Sequence, residues 1–204
     1  MLRYSDYDTQ YKGQKEAIGW MLWDTVTYAS GSTLTATFFT SLRSNKSLSN
    51  MELAGQLPAP QAFLVRAIRF FPKVLPLATT RAASGSDQTG AASDIQKLIN
   101  TGVAELVVGA KSYGLIPLWL LPAGGGAFGA YTADGDEPST GILVDYATNG
   151  VPDPRNVFTL AVPIFIGPQI NFRVVVTWPT AVTLAGGDTA ICVGLDGDLI
   201  RPVQ

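Results

Sequence analysis

Ile170-Asn171-Phe172-Arg173-Val174-Val175-Val176-Thr177-Trp178 carries an apolar side chain at every even position, from Ile170 to Trp178, against Asn171, Arg173, Val175 and Thr177 at the odd ones. A period of two is that of a strand with one buried face. Burying the five even side chains contributes on the order of 10 kcal/mol gross, at about 2 kcal/mol each. The stretch lies in a C-terminal third, residues 156–204, that reads as three consecutive strands ending in Leu199-Ile200-Arg201-Pro202-Val203-Gln204. Asp196 and Asp198 around Gly197 read as a tight turn before the last strand. Cys192, inside the alternating run 189–195, reads as a small buried hydrophobe rather than a reactive thiol.

Upstream, apolar runs at 17–28 and 33–40 flank Ser30-Gly31-Ser32 and predict a hairpin, with Leu34, Ala36 and Phe38 on its buried face. Residues 41–56 read as a long polar connection. Pro58 and Pro60 then lead into a strand over 61–71, with Phe63, Val65 and Ala67 on one face and Leu64, Arg66, Ile68 and Phe70 on the other. Both faces are largely apolar, which predicts a central strand with Arg66 on the less buried side, against a neighbouring subunit. Residues 79–90 read as a loop. Ser93 with Gln96 forms a capping box for one short helix, whose stripe is Ile95, Leu98 and Ile99 and whose end is Gly102. Strands are predicted at 103–108, 113–121, 141–147 and 157–166. Eight or so short strands, long connections and one helix make an all-β jelly-roll sandwich or barrel, ahead of an immunoglobulin-like one. It is expected as a single domain over 1–204, with 1–16 a polar N-terminal arm.

Composition narrows the function. Of 204 residues, 47% are hydrophobic and only 15% charged, which suits a surface partly covered by partners. The net charge of −2, the scattered basic residues and the lack of a basic arm disfavour direct nucleic-acid binding. With no histidine, the commonest general base and metal ligand are both missing. A single cysteine leaves no intramolecular disulfide, and residues 4–16 are too polar for a secretory signal. The uncharged stretch 112–133 contains Pro117, Pro122 and five glycines, so it reads as a buried strand and a glycine-rich loop rather than a membrane span.

The chemical motifs are weak. Gly124-Gly125-Gly126-Ala127-Phe128-Gly129 has dinucleotide-binding spacing, but no helical stripe follows to place a helix N-terminus at a phosphate, so it reads as a loop. Asp134, Asp136 and Glu137 form an acidic turn short of the ligands a calcium loop needs. No cofactor, metal or catalytic residue is expected. Asn45-Lys46-Ser47 has glycosylation spacing without a secretory route. Tryptophan is enriched where a surface becomes an interface, and Trp20, Trp23, Trp119 and Trp178 stand out in this respect, with core packing as the alternative. The candidate residues for a subunit or membrane interface are Trp20, Trp23, Arg66, Trp119, Phe128 and Arg201.

The proline-led strand entry Gly55-Gln56-Leu57-Pro58-Ala59-Pro60-Gln61-Ala62-Phe63 and the ending from Leu195 to Gln204 resemble, in pattern and from Gln56 onward, the jelly-roll capsid proteins of tailless icosahedral phages, especially those whose shell covers an internal membrane. That resemblance implies a structural coat protein in the virion, made in the host cytoplasm. Its barrels would associate into capsomers with copies of themselves and, in some members, with a second capsid protein. A shell separated from its genome by lipid also suits a chain without a basic arm. Two other classes stay open. One is a carbohydrate-binding or adhesin-like sandwich presenting Trp119, Phe128 and Tyr131. The other is a carboxylate-only enzyme, which is expected least.

Overall fold

The computed structural model describes residues 5, 13–73, 91–121, 128–133, 143–148, 157–184 and 187–203. The strands are β1 (Lys15–Tyr28), β2 (Thr35–Phe38), β3 (Ala62–Lys73), β4 (Val103–Val108), β5 (Lys111–Pro117), β6 (Phe128–Ala133), β7 (Leu143–Thr148), β8 (Thr159–Ile166), β9 (Phe172–Thr177) and β10 (Thr189–Pro202). Helix α1 (Ala91–Thr101) precedes β4, and a 3-10 turn (Leu118–Leu120) follows β5.

The first strand pairs with the last, β2 with β9, β3 with β8 and β4 with β5, all antiparallel. The chain thus doubles back on itself as one long ribbon. The ribbon's rungs then fall alternately into two four-stranded sheets, with orders β1-β10-β3-β8 and β2-β9-β4-β5, joined laterally by β10 on β3 and β9 on β4. This is the eight-stranded jelly roll. The β6–β7 hairpin is an addition between β5 and β8, and α1 packs against it.

The strand that decided the fold behaves as its alternation requires. Phe172, Val174, Val176 and Trp178 are buried, while Ile170 packs at the margin of the core. Across from them, the other sheet contributes Leu22, Tyr28, Phe63, Val65, Ile68, Phe70, Ile191, Val193 and Leu195. At about 1.5–3 kcal/mol of gross burial per large apolar side chain, this shared core holds the two sheets together. Cys192 is buried.

Five local expectations are corrected. The runs 17–28 and 33–40 form not a hairpin but a corner, because β1 pairs with β10 and β2 with β9. Its turn is held by Thr33 N–H donating to the Ala29 carbonyl (3.1 Å) and by the Thr33 hydroxyl accepting from Ala29 N–H (2.9 Å). Leu34, at the corner, is half exposed. In β3 the side chains that enter the main core are Phe63, Val65, Ile68 and Phe70, because a bulge at Arg66 shifts the alternation by one residue; Ala62 and Ala67 are buried but lie outside that core. The helix starts at Ala91, two residues before the expected cap. Phe128–Ala133, read as loop, is strand β6.

The fifth correction concerns Asp196-Gly197-Asp198, which is not a turn but the middle of the 14-residue β10, at the same bulge. A Cβ on Gly197 would fall onto the Leu64 carbonyl, so only glycine lets β10 and β3 approach there. Residues 79–90, Gly124-Gly125-Gly126 and the acidic turn Asp134, Asp136 and Glu137 lie outside the described residues, as does most of 1–16; Lys15 and Glu16 belong to β1.

The two ends of the sandwich differ. Around Trp178 the core is closed: the indole N–H donates to the Leu98 carbonyl (3.0 Å), Tyr28 meets the ring edge-on (centroids 4.8 Å apart), and Gly102 lies so close that a Cβ would sit 2.7 Å from the indole nitrogen. At the other end the edge strand β1 stays open although Val65 and Phe63, in register further into the sheet, are in the core. Burial begins only at Leu22, seven residues after the strand does.

Candidate functional site

The open half of β1 forms one wall of a cleft. Its even residues Ile18, Trp20 and Leu22 share the inner face with Leu199 and Arg201 of β10, in the register Ile18↔Leu199 and Trp20↔Gly197. The connection 39–61 supplies the opposite wall, with Met51, Leu57 and Pro58 beneath a rim of Asn50, Glu52, Gln56 and Gln61. The cleft measures ≈ 280 Å³, and Trp20 is 48% exposed in it. Arg201 donates through Nε to Glu16 Oε1 on the paired strand, fixing one corner of the rim.

The connection is held in place by two side chains that the sequence pattern did not single out. Asn50 imitates a strand against the free edge of β1: its Oδ1 accepts from Trp23 N–H (2.9 Å) and its Nδ2 donates to the Met21 carbonyl (2.8 Å). Asp24 is fully buried, and its carboxylate accepts from Phe39 N–H (2.6 Å), Thr25 N–H (3.0 Å) and Arg43 Nε (3.2 Å). Phe39 lies at φ 71, a conformation non-glycine residues adopt rarely, and the Asp24 bond holds it there. An aspartate amid an apolar alternation looks like a wet-face residue. Only the neighbouring connection reveals it as a staple.

The outer face of the same sheet is laced with ion pairs. Arg66 donates through Nε to Asp198 Oδ2 (2.7 Å) and Arg69 pairs with Asp196 across the bulge. The Asp198 carboxylate holds the Arg66 guanidinium above its ordinary pKa, through the hydrogen bond first and charge attraction second. Beside them Ala62 and Ile200 are buried under Leu64 and Phe165.

At the far edge, β8 protrudes. Val65 pairs with Ile164 and Ala67 with Thr159, so the four residues Leu160, Ala161, Val162 and Pro163 oppose the single residue Arg66. Val162 is 76% exposed, the most exposed large hydrophobic side chain among the described residues.

The candidate residues therefore separate. Trp20 and Arg201 share the cleft; Arg66 stands at the opposite flank, next to the β8 bulge. Trp23 is half-buried on the outer side of β1. The expected buried strand over 113–121 is instead β5 and a 3-10 turn, with Leu118 and Leu121 buried but Leu115 and Trp119 68% and 59% exposed. Phe128 lies in β6, and its side chain is outside the described residues. The β8 bulge escaped sequence reading, although Pro163 within an apolar run marks an irregular edge strand.

Chemically, the arrangement offers an apolar recess with a polar rim and an apolar protrusion. Among the described residues no three His, Cys, Asp or Glu side chains gather as a metal site, and no helix is long and apolar enough to cross a membrane. No protein-family model, curated protein or solved structure matches the chain.

Proposed function

We propose that this chain is a structural coat protein whose copies associate into capsomers of an icosahedral viral shell. A jelly roll alone assigns no function, since capsid domains, lectins and enzymes share it. The observation that carries the reading is apolar exposure on both flanks of one sheet, at Trp20 and Val162, a sheet whose outer-face Arg66 and Arg69 are paired with Asp198 and Asp196. Exposed apolar side chains on two opposed edges give a subunit two surfaces for contact with further copies. Partners are copies of the chain, with room for a second coat protein and an internal membrane. The weak net charge of −2 gives no electrostatic pull on nucleic acid. The reading needs no cofactor and no catalytic residue. Light scattering across concentration and salt, followed by electron microscopy, tests it: rings, sheets or shells support it, and a strict monomer opposes it.

A second reading, a carbohydrate-binding sandwich, draws on the exposed indole of Trp119 at the end of β5, a surface on which a sugar ring stacks. A monomer retained on a glycan matrix, and released by Trp119→Ala, would favour it.

A further inference from the structure

We propose that neighbouring copies join head to tail, the β8 bulge of one seated in the Trp20 cleft of the next. The inference rests on the coat-protein reading and names its contact. Register places the two features at one level: Trp20 pairs with Gly197, Gly197 with Val65, and Val65 with Ile164, the residue immediately after the bulge. They stand on opposite edges of the same four-stranded sheet, about 14 Å apart at about 4.8 Å per strand spacing. A protrusion on one edge and a recess on the other, at equal height, make a heterologous contact, which generates rings or extended sheets rather than closed dimers.

Size and charge agree. At ≈ 280 Å³ the cleft lies at the lower edge of the roughly 300–1,000 Å³ range of small-molecule sites, a size that suits a few side chains. Its apolar floor under a polar rim is the anatomy of a pocket for a partner's side chains. The bulge offers Val162 and Pro163, both exposed. Glu52 on the cleft rim forms no ion pair within the described chain, whereas the residue opposite the bulge is Arg66, 54% exposed, whose Nε and Nη2 meet Asp198 and whose remaining guanidinium donors can take a second acceptor. Docking brings the two charges together.

The test uses the full chain with Cys192→Ala, carrying Gln61→Cys on the rim and Val162→Cys on the bulge. Under mild oxidation the double-cysteine protein gives a ladder of covalent trimers and larger species, and a mixture of the two single-cysteine proteins gives mixed dimers. Val162→Asp, at an exposed position, leaves the melting curve unchanged and raises the concentration at which assembly begins about tenfold or more. Crosslinks that stop at the dimer, or rings and sheets that form with no crosslink, overturn the contact and leave the coat-protein reading standing. So does quenching of tryptophan fluorescence by brominated phosphatidylcholine vesicles in assemblies that show no ladder. A wild-type protein that stays monomeric at every concentration overturns both.

Discussion

Trp178 and Trp20 both stand in apolar alternations, yet one is 1% exposed and the other 48%. Trp178 ends a strand whose facing sheet reaches far enough to cover it, with Tyr28 against its edge and the Leu98 carbonyl on its N–H. Trp20 lies eight residues, about 26 Å, back along β1 from Tyr28, on the edge strand, where the wall opposite it is the connection 39–61, while Val65, two strands in at the same level, is fully buried. Its neighbours are a cleft and solvent. The difference shows that the inner face of a sheet is not one environment: where a strand faces it, it becomes core, and where the edge strand faces only a connection, it stays open to solvent.

If that division is right, the closed end carries stability and the open end carries association. Trp178→Ala should cost about 3–5 kcal/mol in denaturant unfolding, since it empties a packed site and strands the Leu98 carbonyl. A loss under 1 kcal/mol would erase the contrast. Asp24→Ala should follow at about 2–3 kcal/mol, because the buried Phe39 N–H loses its acceptor. Asp24→Asn, which keeps an acceptor oxygen, should lie between that variant and wild type.

Tyr28 sharpens the comparison through pH. Burial raises its pKa above the usual value of about 10, and this outweighs the opposing hydrogen bond that the phenol oxygen accepts from Val182 N–H. The folded protein therefore keeps the phenol proton where the unfolded chain releases it. The stabilisation is complete below about pH 10 and is lost as pH rises through the folded-state pKa. Urea midpoints measured from pH 8 to 11 should fall at the alkaline end, and less steeply in Tyr28→Phe. Trp20→Ala should show the smallest stability effect, within about 0.5 kcal/mol, while weakening self-association.

Much of this was legible in the residues. The alternation 170–178, the strand 103–108 and the helix stripe Ile95, Leu98 and Ile99 predicted their elements, since each depends on local period and burial of one face. What failed depended on partners distant in sequence. Asp196-Gly197-Asp198 has the composition of a turn, but Arg66 and Arg69, more than a hundred residues away, neutralise the carboxylates, and the Leu64 carbonyl requires the glycine. The corner at 29–34 resembles a hairpin because the strand before it and the strand after it look alike whether they pair with each other or with β10 and β9. Phe128–Ala133 holds only small residues between its aromatics, and its strand state comes from pairing with Leu143–Thr148. Of the candidate interface residues, Trp20 and Arg201 came together in one cleft because register, not spacing, decides such meetings. The exposure of Val162 depends on how many residues of β3 stand opposite, which no pattern within β8 records.

The most direct test of the central claim is the solution mass of wild-type protein and Trp20→Ala, measured by light scattering over a wide concentration range, with the melting temperature recorded for each. The account predicts that wild type grows into rings, sheets or shells while Trp20→Ala melts like wild type and stays small. Strictly monomeric wild type, or a Trp20→Ala protein that assembles at the same concentration, would contradict it.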